Sequence, residues 1–261
     1  MNRIEKLFSL KEKNVLSIYF TAGFPRLNDT GEILFALQNY GADMVEIGMP
    51  YSDPLADGPV IQHSSMNAIH NGITIKLLFE QLKDCRNKIH IPLILMGYLN
   101  PVMQYGVERF CMDAVNVGID GIILPDLPLH EYETEYKVIF QKYNLDFIFL
   151  ITPETSEERI RRVDEASSGF IYAVSSSSIT GKDKNLEAQE GYFQRLIKMK
   201  LKNKIMIGFG IKDYKTFSEA CKHASGAIIG TAFIRAIENS VNIEADTRKF
   251  LNSILQPRFI S

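Results

Sequence analysis

Eight short apolar runs recur along the chain: VLSIYF (15–20), MVEIGM (44–49), IPLILM (91–96), DGIIL (120–124), DFIFLI (146–151), GFIYAV (169–174), KIMIGF (204–209) and GAIIG (226–230). Each is nearly continuous rather than alternating, which means strands buried on both faces, the signature of a parallel sheet covered by helices. Segments of helical spacing separate them, such as DTGEILFALQNYG, GVERFCMDAVNVG, SEERIRRVDEAS, YFQRLIKMKLK and DYKTFSEACKHAS. Several open on Asp or Ser, as N-caps do, and others end on Gly. Eight such units make a closed (β/α)8 TIM barrel, and the 261 residues match the roughly 250 that such a barrel needs. That length also suits two smaller domains, but no Pro/Gly-rich linker divides the chain. The expectation is an α/β fold, a single TIM-barrel domain over 1–261, with an extra N-terminal helix in MNRIEKLFSLKEKNVL. A doubly wound open sheet usually carries G-x-G-x-x-G after its first strand, where this chain has TAGFP.

Strand starts are mostly 22 to 29 residues apart, but 47 after MVEIGM and 35 after GFIYAV. Loops that follow barrel strands lie on the catalytic face, so the extra length there predicts a lid or contact surface over the mouth. Lys and Arg number 29 against 31 Asp and Glu, and without a clustered basic run nucleic acid is not an expected partner. No stretch of about 20 apolar residues offers a membrane span. Cys85, Cys111 and Cys221 are odd in number and outside any CxxC spacing, which fits a reducing cytoplasm and neither a disulfide framework nor a zinc site.

Glu46 interrupts an apolar strand near its C-terminal end, where a barrel presents its chemistry. A carboxyl buried there is expected to have a raised pKa and to serve as a proton donor near neutral pH; an ion pair with Lys or Arg, or an outward-pointing side chain, is the alternative. The following loop, PYSDPLADGP (50–59), carries Asp53 and Asp57 among three prolines, which stiffen it. An Asp before Gly58-Pro59 more often caps a helix, but two carboxylates facing one cavity can be held in different protonation states. Small residues also end the last three strands: Thr180-Gly181, Gly208-Phe209-Gly210 and Gly230-Thr231. Glycines let backbone N–H groups approach an anion, and AFIRAIEN then starts a helix, so a phosphate site is expected after the seventh and eighth strand runs. Phe20, Tyr98 and Tyr172 stand at or near strand ends, where they either line a pocket or fill the core. The five histidines show no ligand spacing, so no metal is implied. Ser175 to Ser178 lack G-x-S-x-G and a paired His, and read as a mobile polar loop.

VEIGMPYSDPLADGPVIQ (45–62) resembles the signature of the tryptophan synthase α chain family. FTAGFP (20–25), LMGYLNP (95–101), DGIILPDLP (120–128), ITPETS (151–156), the Thr180-Gly181 loop, GFGI (208–211) and GAIIGTA (226–232) follow in the family's order. The resemblance implies cleavage of indole-3-glycerol phosphate to indole and glyceraldehyde 3-phosphate. It makes Glu46 the general acid and base, and Asp57 the ionised partner of the indole N–H. It also implies that Tyr98, Asp126 and Tyr172 support or line the pocket, that Phe20 touches the indole ring, that Gly181, Gly210, Gly230 and Thr231 hold the phosphate, and that Thr180 lies in the closing loop. The implied partner is a β chain in an α2β2 heterotetramer, met through Asp53, Pro54, Asn100 and Pro101. Pyridoxal phosphate belongs to that partner and no cofactor to this chain. Two departures stand out: Thr231 where many members have Ser, and Ser178 where Gly is frequent. A free-standing lyase and a catalytically idle activating subunit are the other implied possibilities; a sugar-phosphate isomerase barrel leaves SDPLADGP unexplained.

Overall fold

The computed structural model describes residues 2–175 and 182–255. Its strands are β1 (Val15–Thr21), β2 (Met44–Gly48), β3 (Leu93–Met96), β4 (Gly121–Ile123), β5 (Asp146–Phe147), β6 (Leu150–Ile151), β7 (Phe170–Val174), β8 (Lys204–Gly208) and β9 (Gly226–Ile229). They pair in parallel, in the order β5-β4-β3-β2-β1-β9-β8-β7-β6. The two ends of that order are halves of one sequence run, DFIFLI. The Ile148 N–H donates to Ile122 O on the β4 side at 3.0 Å, and the Tyr172 N–H donates to Phe149 O on the β7 side at 3.0 Å. The sheet therefore closes on itself through residues 146–151, and the eight predicted runs are eight barrel strands. The run expected as one strand is split because a tilted, staggered barrel strand changes partner partway along its length.

The predicted N-terminal helix is α1 (Arg3–Leu10). Its first turn has a capping box in which the Asn2 side chain accepts from the Glu5 N–H and the Glu5 carboxylate accepts from the Asn2 N–H. Ile4 is wholly buried and Phe8 packs edge-on to Phe170. The helix is pinned where strands begin: Asn2 Nδ2 donates to Asp146 at 2.5 Å and Arg3 Nη1 to Asp120 at 2.9 Å. Asp120 also receives Arg86 Nη2 at 2.6 Å and the Leu93 N–H at 2.9 Å. Arg86 in turn donates to the carbonyls of Gly118, Ile89 and Ile91. This network closes the barrel face away from the strand C-termini, the face that serves stability.

The helix α2 (Thr30–Asn39) departs from expectation at its cap: Asp29 makes no capping bond and instead takes Arg26 Nε at 2.9 Å. Ser156 and Asp213 do cap their helices, accepting from the N–H groups of Arg159 and Thr216. The long interval after β2 holds two helices, α3 (Pro59–His70) and α4 (Ile75–Leu82). The one after β7 holds the 18-residue helix Lys182–Met199. No helix among the described residues is long and apolar enough to cross a membrane.

Because Asp120 is buried and receives two guanidinium groups, Asp120→Ala leaves Arg86 without its charge partner. Removing one member of a buried pair costs about 3–5 kcal/mol. Urea unfolding of the variant is expected to show a loss of that order; a loss below about 1 kcal/mol, the value of a surface pair, contradicts the assignment.

Candidate active site

Glu46 sits inside β2, in register with Tyr19 of β1 and Ile94 of β3, and is wholly buried. Ser17 Oγ donates to Oε1 at 3.0 Å, and Oε2 has no hydrogen-bond partner among the described residues. Among the described residues no Lys or Arg pairs with it, so the ion-pair alternative fails. Loss of hydration pushes its pKa up to about 8, with the Ser17 bond opposing the shift. The carboxyl is therefore mainly protonated at pH 7.

Asp57 precedes α3 but does not cap it. The cap position is Gly58, with Pro59 opening the helix, and no side chain caps it. Asp57 Oδ2 instead accepts the Tyr98 hydroxyl at 3.0 Å, while the same Tyr98 oxygen accepts from the Ala56 N–H at 3.0 Å. The loop is braced by Asp57 N–H to Pro54 O at 3.0 Å and Gln62 Nε2 to Asp57 O at 2.9 Å. Burial pushes the Asp57 pKa up to about 6, opposed by the bond from Tyr98, so this carboxyl remains largely ionised at neutral pH. One sheet layer and one loop thus hold two carboxyls in different states.

Asp57 opens onto a cavity of about 620 Å³ lined also by Tyr19, Met96, Tyr172, Phe209, Gly210, Lys212, Gly230, Thr231 and Arg235. Burial raises the hydroxyl pKa values of Tyr19 and Tyr172, and the nearby charges of Asp57 and Glu46 raise them further. Glu46 itself is enclosed behind this lining. The two tyrosines explain two glycines. A Cβ on Gly48 would lie 2.2 Å from the Tyr19 hydroxyl oxygen, and one on Gly208 would lie 2.1 Å from that of Tyr172. Gly208 therefore makes room for an aromatic ring rather than for an anion. Phe209 and Gly210 follow with φ of 70° and 75°, a left-handed pair that is costly for Phe. Ser175 Oγ, donating to Phe209 O at 2.6 Å and to Gly208 O at 3.0 Å, ties this turn down. Ser175 is thus a buried tether and not part of a mobile loop; Ser176 to Ser178 lie outside the described residues.

Gly210, Gly230 and Thr231 share the cavity as expected, whereas Thr180 and Gly181 fall outside the described residues. Tyr98 and Tyr172 face the site rather than the core: Tyr98 holds Asp57 and lines a small adjoining recess with Tyr51 and Met49. Asp126 is exposed and accepts the Leu99 N–H at 3.0 Å, bracing the turn after Tyr98 without lining the cavity. Phe20 is corrected. It is wholly buried and absent from the lining, because successive side chains of a strand point to opposite faces. Tyr19, one residue earlier and of the same parity as Ser17, is the aromatic that faces the site. Asp53 is exposed, Pro54 buried, Asn100 exposed and Pro101 half-buried. Asn100 Nδ2 donates to Tyr51 of the Asp53 loop at 3.1 Å, so these two segments are neighbours. Ser17, Lys212 and Arg235 were not legible beforehand; Ser17, a hydroxyl inside an apolar run, was the one with a signal. Among the described residues no group of three His, Cys, Asp or Glu is arranged to hold a metal.

A closed parallel barrel with a buried neutral acid, an ionised neighbour and a glycine-lined cavity at its strand C-termini defines a barrel enzyme of the acid–base type. A sequence model of the family described as tryptophan synthase alpha chain matches residues 6–256. The tryptophan synthase alpha chain of Phocaeicola vulgatus is 53% identical over 257 residues, covering 98% of each chain. That of Flavobacterium johnsoniae is 54% identical, covering 92% of this chain and 95% of that protein. Among solved structures, tryptophan synthase subunit alpha from Legionella pneumophila superposes with a TM-score of 0.87 at 36% identity, covering 97% of both chains. A chain of the tryptophan synthase complex from Pyrococcus furiosus gives 0.85 at 31%, covering 94% of this chain and 99% of that one. The chain belongs to the tryptophan synthase alpha chain family, a family of lyases.

The raised pKa of Glu46 carries a stability signature. The folded state holds a proton that an unfolded Glu releases near pH 4.5 and that the folded one releases near 8. The stability this provides is complete below the first value and is lost as pH rises through the second, at up to ~1.4 kcal/mol per pH unit between them. Glu46→Gln removes this dependence. Urea titrations at pH 5 and pH 8 are expected to show the variant gaining on the parent at the higher pH; an equal difference at both contradicts a buried neutral Glu46.

Proposed function

We propose that this chain cleaves indole-3-glycerol phosphate to indole and glyceraldehyde 3-phosphate. The observation that carries the proposal is the pair of carboxyls in different states at neutral pH, Asp57 on the cavity and ionised, Glu46 enclosed behind the lining and protonated. Glu46 gives its proton to indole C3, which places positive charge on the ring nitrogen. Asp57, accepting a hydrogen bond from the indole N–H, stabilises that charge. The Glu46 carboxylate then takes the proton of the C3′ hydroxyl. The C3–C3′ bond breaks, its electron pair returns to the ring, the aldehyde forms, and Glu46 is protonated again for the next turnover. The phosphate lies against Gly210, Gly230 and Thr231, with Lys212 and Arg235 on the same lining supplying positive charge; of the residues outside the described ones, Gly181 is assigned to phosphate binding and Thr180 to the closing loop. The hydroxyl that phosphate binding needs is retained in Thr231.

The proposal extends to a β chain in an α2β2 heterotetramer, which holds pyridoxal phosphate and consumes the indole, while this chain works without a cofactor in the cytoplasm. The Pyrococcus furiosus neighbour is a tryptophan synthase complex. The neighbouring Asp53-Pro54 and Asn100-Pro101 segments also carry exposed apolar side chains, Leu55 and Met103, as a docking face does.

Glu46→Gln and Asp57→Asn are each expected to lower indole release at least ~10²-fold, the low end for general acid–base groups, in assays with and without β chain. Near-parental turnover in both removes the assignment. The pH profile of kcat/KM is expected to fall below about 6 as Asp57 takes a proton and above about 8 as Glu46 loses one; a profile flat across both limbs contradicts the roles.

A further inference from the structure

The two oxygens of the Glu46 carboxyl are in different situations, and the difference has one source. Ser17 stands on β1 two residues before Tyr19, the register partner of Glu46, and on the same face. It is wholly buried, and its hydroxyl points at Oε1 at 3.0 Å, while Oε2 is equally enclosed and has no partner among the described residues. A buried hydroxyl in an apolar strand is costly unless bonded, and this one is bonded to the acid. In a neutral carboxyl one oxygen carries the proton and the other is the carbonyl acceptor; the oxygen that accepts from Ser17 is the acceptor.

We infer that Ser17 is a positioning residue that fixes Oε1 as the carbonyl oxygen of Glu46, and so makes Oε2 the oxygen that hands the proton to the substrate and recovers it. The inference rests on the proposed acid role of Glu46. Once that proton has left, the Ser17 bond becomes charge-assisted and stronger, so the same hydroxyl keeps the carboxylate in place for the return step.

Ser17→Ala in the full chain is expected to lower kcat for indole release about tenfold with KM within about twofold, the effect of losing one hydrogen bond to a charged form. The alkaline limb of the profile and the Glu46 carboxyl titration, followed by carbon-13 NMR, are expected to move upward by about one pH unit. Ser17→Thr, which keeps the hydroxyl, is expected to restore both. If the alanine variant does not fold, Ser17→Cys, a weak donor, must shift the titration the same way. A loss of kcat with the limb and the titration unmoved shows a packing role and overturns the inference, as does parental behaviour throughout. Glu46→Gln run alongside separates the two ideas: retained turnover there removes the acid role itself, whereas an inactive Gln variant beside a silent Ser17→Ala removes only this inference.

Discussion

A carboxyl enclosed by a barrel wall can stay ionised only if charge or several donors meet it there, because hydration is lost on all sides. Among the described residues Glu46 receives one hydroxyl and no cation, so it holds its proton into the neutral range. The rest of the site is arranged around that fact. Asp57 must not share the same fate, and it is placed on a loop instead of a strand, closer to solvent and against the Tyr98 hydroxyl. Two carboxyls of nearly equal intrinsic acidity are thereby separated by roughly two pH units through placement alone.

The tyrosines show how closely the wall is fitted. Tyr19 and Tyr172 lie over the glycines that end β2 and β8, and neither ring has room for a Cβ beneath it. Gly230 also packs against the Tyr19 ring, while Gly210 and Thr231 complete this side of the cavity lining. Ser175 fastens the Phe209 turn from the end of β7.

The barrel was legible because burial on both faces leaves near-continuous apolar runs, and Glu46 was legible because it breaks one. The same continuity hid the parity of β1. With both faces apolar, hydrophobicity does not say whether Tyr19 or Phe20 points inward; Ser17, a polar residue on the Tyr19 face, was the one available clue. Asp57 looked like a cap because Asp-Gly-Pro usually is one, and only the approach of Tyr98 from the next strand's loop gives it another partner. Lys212 and Arg235 carry no local pattern at all: they meet at one cavity because β8 and β9 are neighbours, which is a property of closure and not of any short segment.

Closure also sets an order of events during synthesis. β1 pairs with β2 on one side and with β9 on the other, and the Val15 N–H finds its partner at Ser225. A ribosome must therefore make almost the whole described chain before the first strand loses its free edge. Until then that edge carries unpaired backbone groups that another strand can meet.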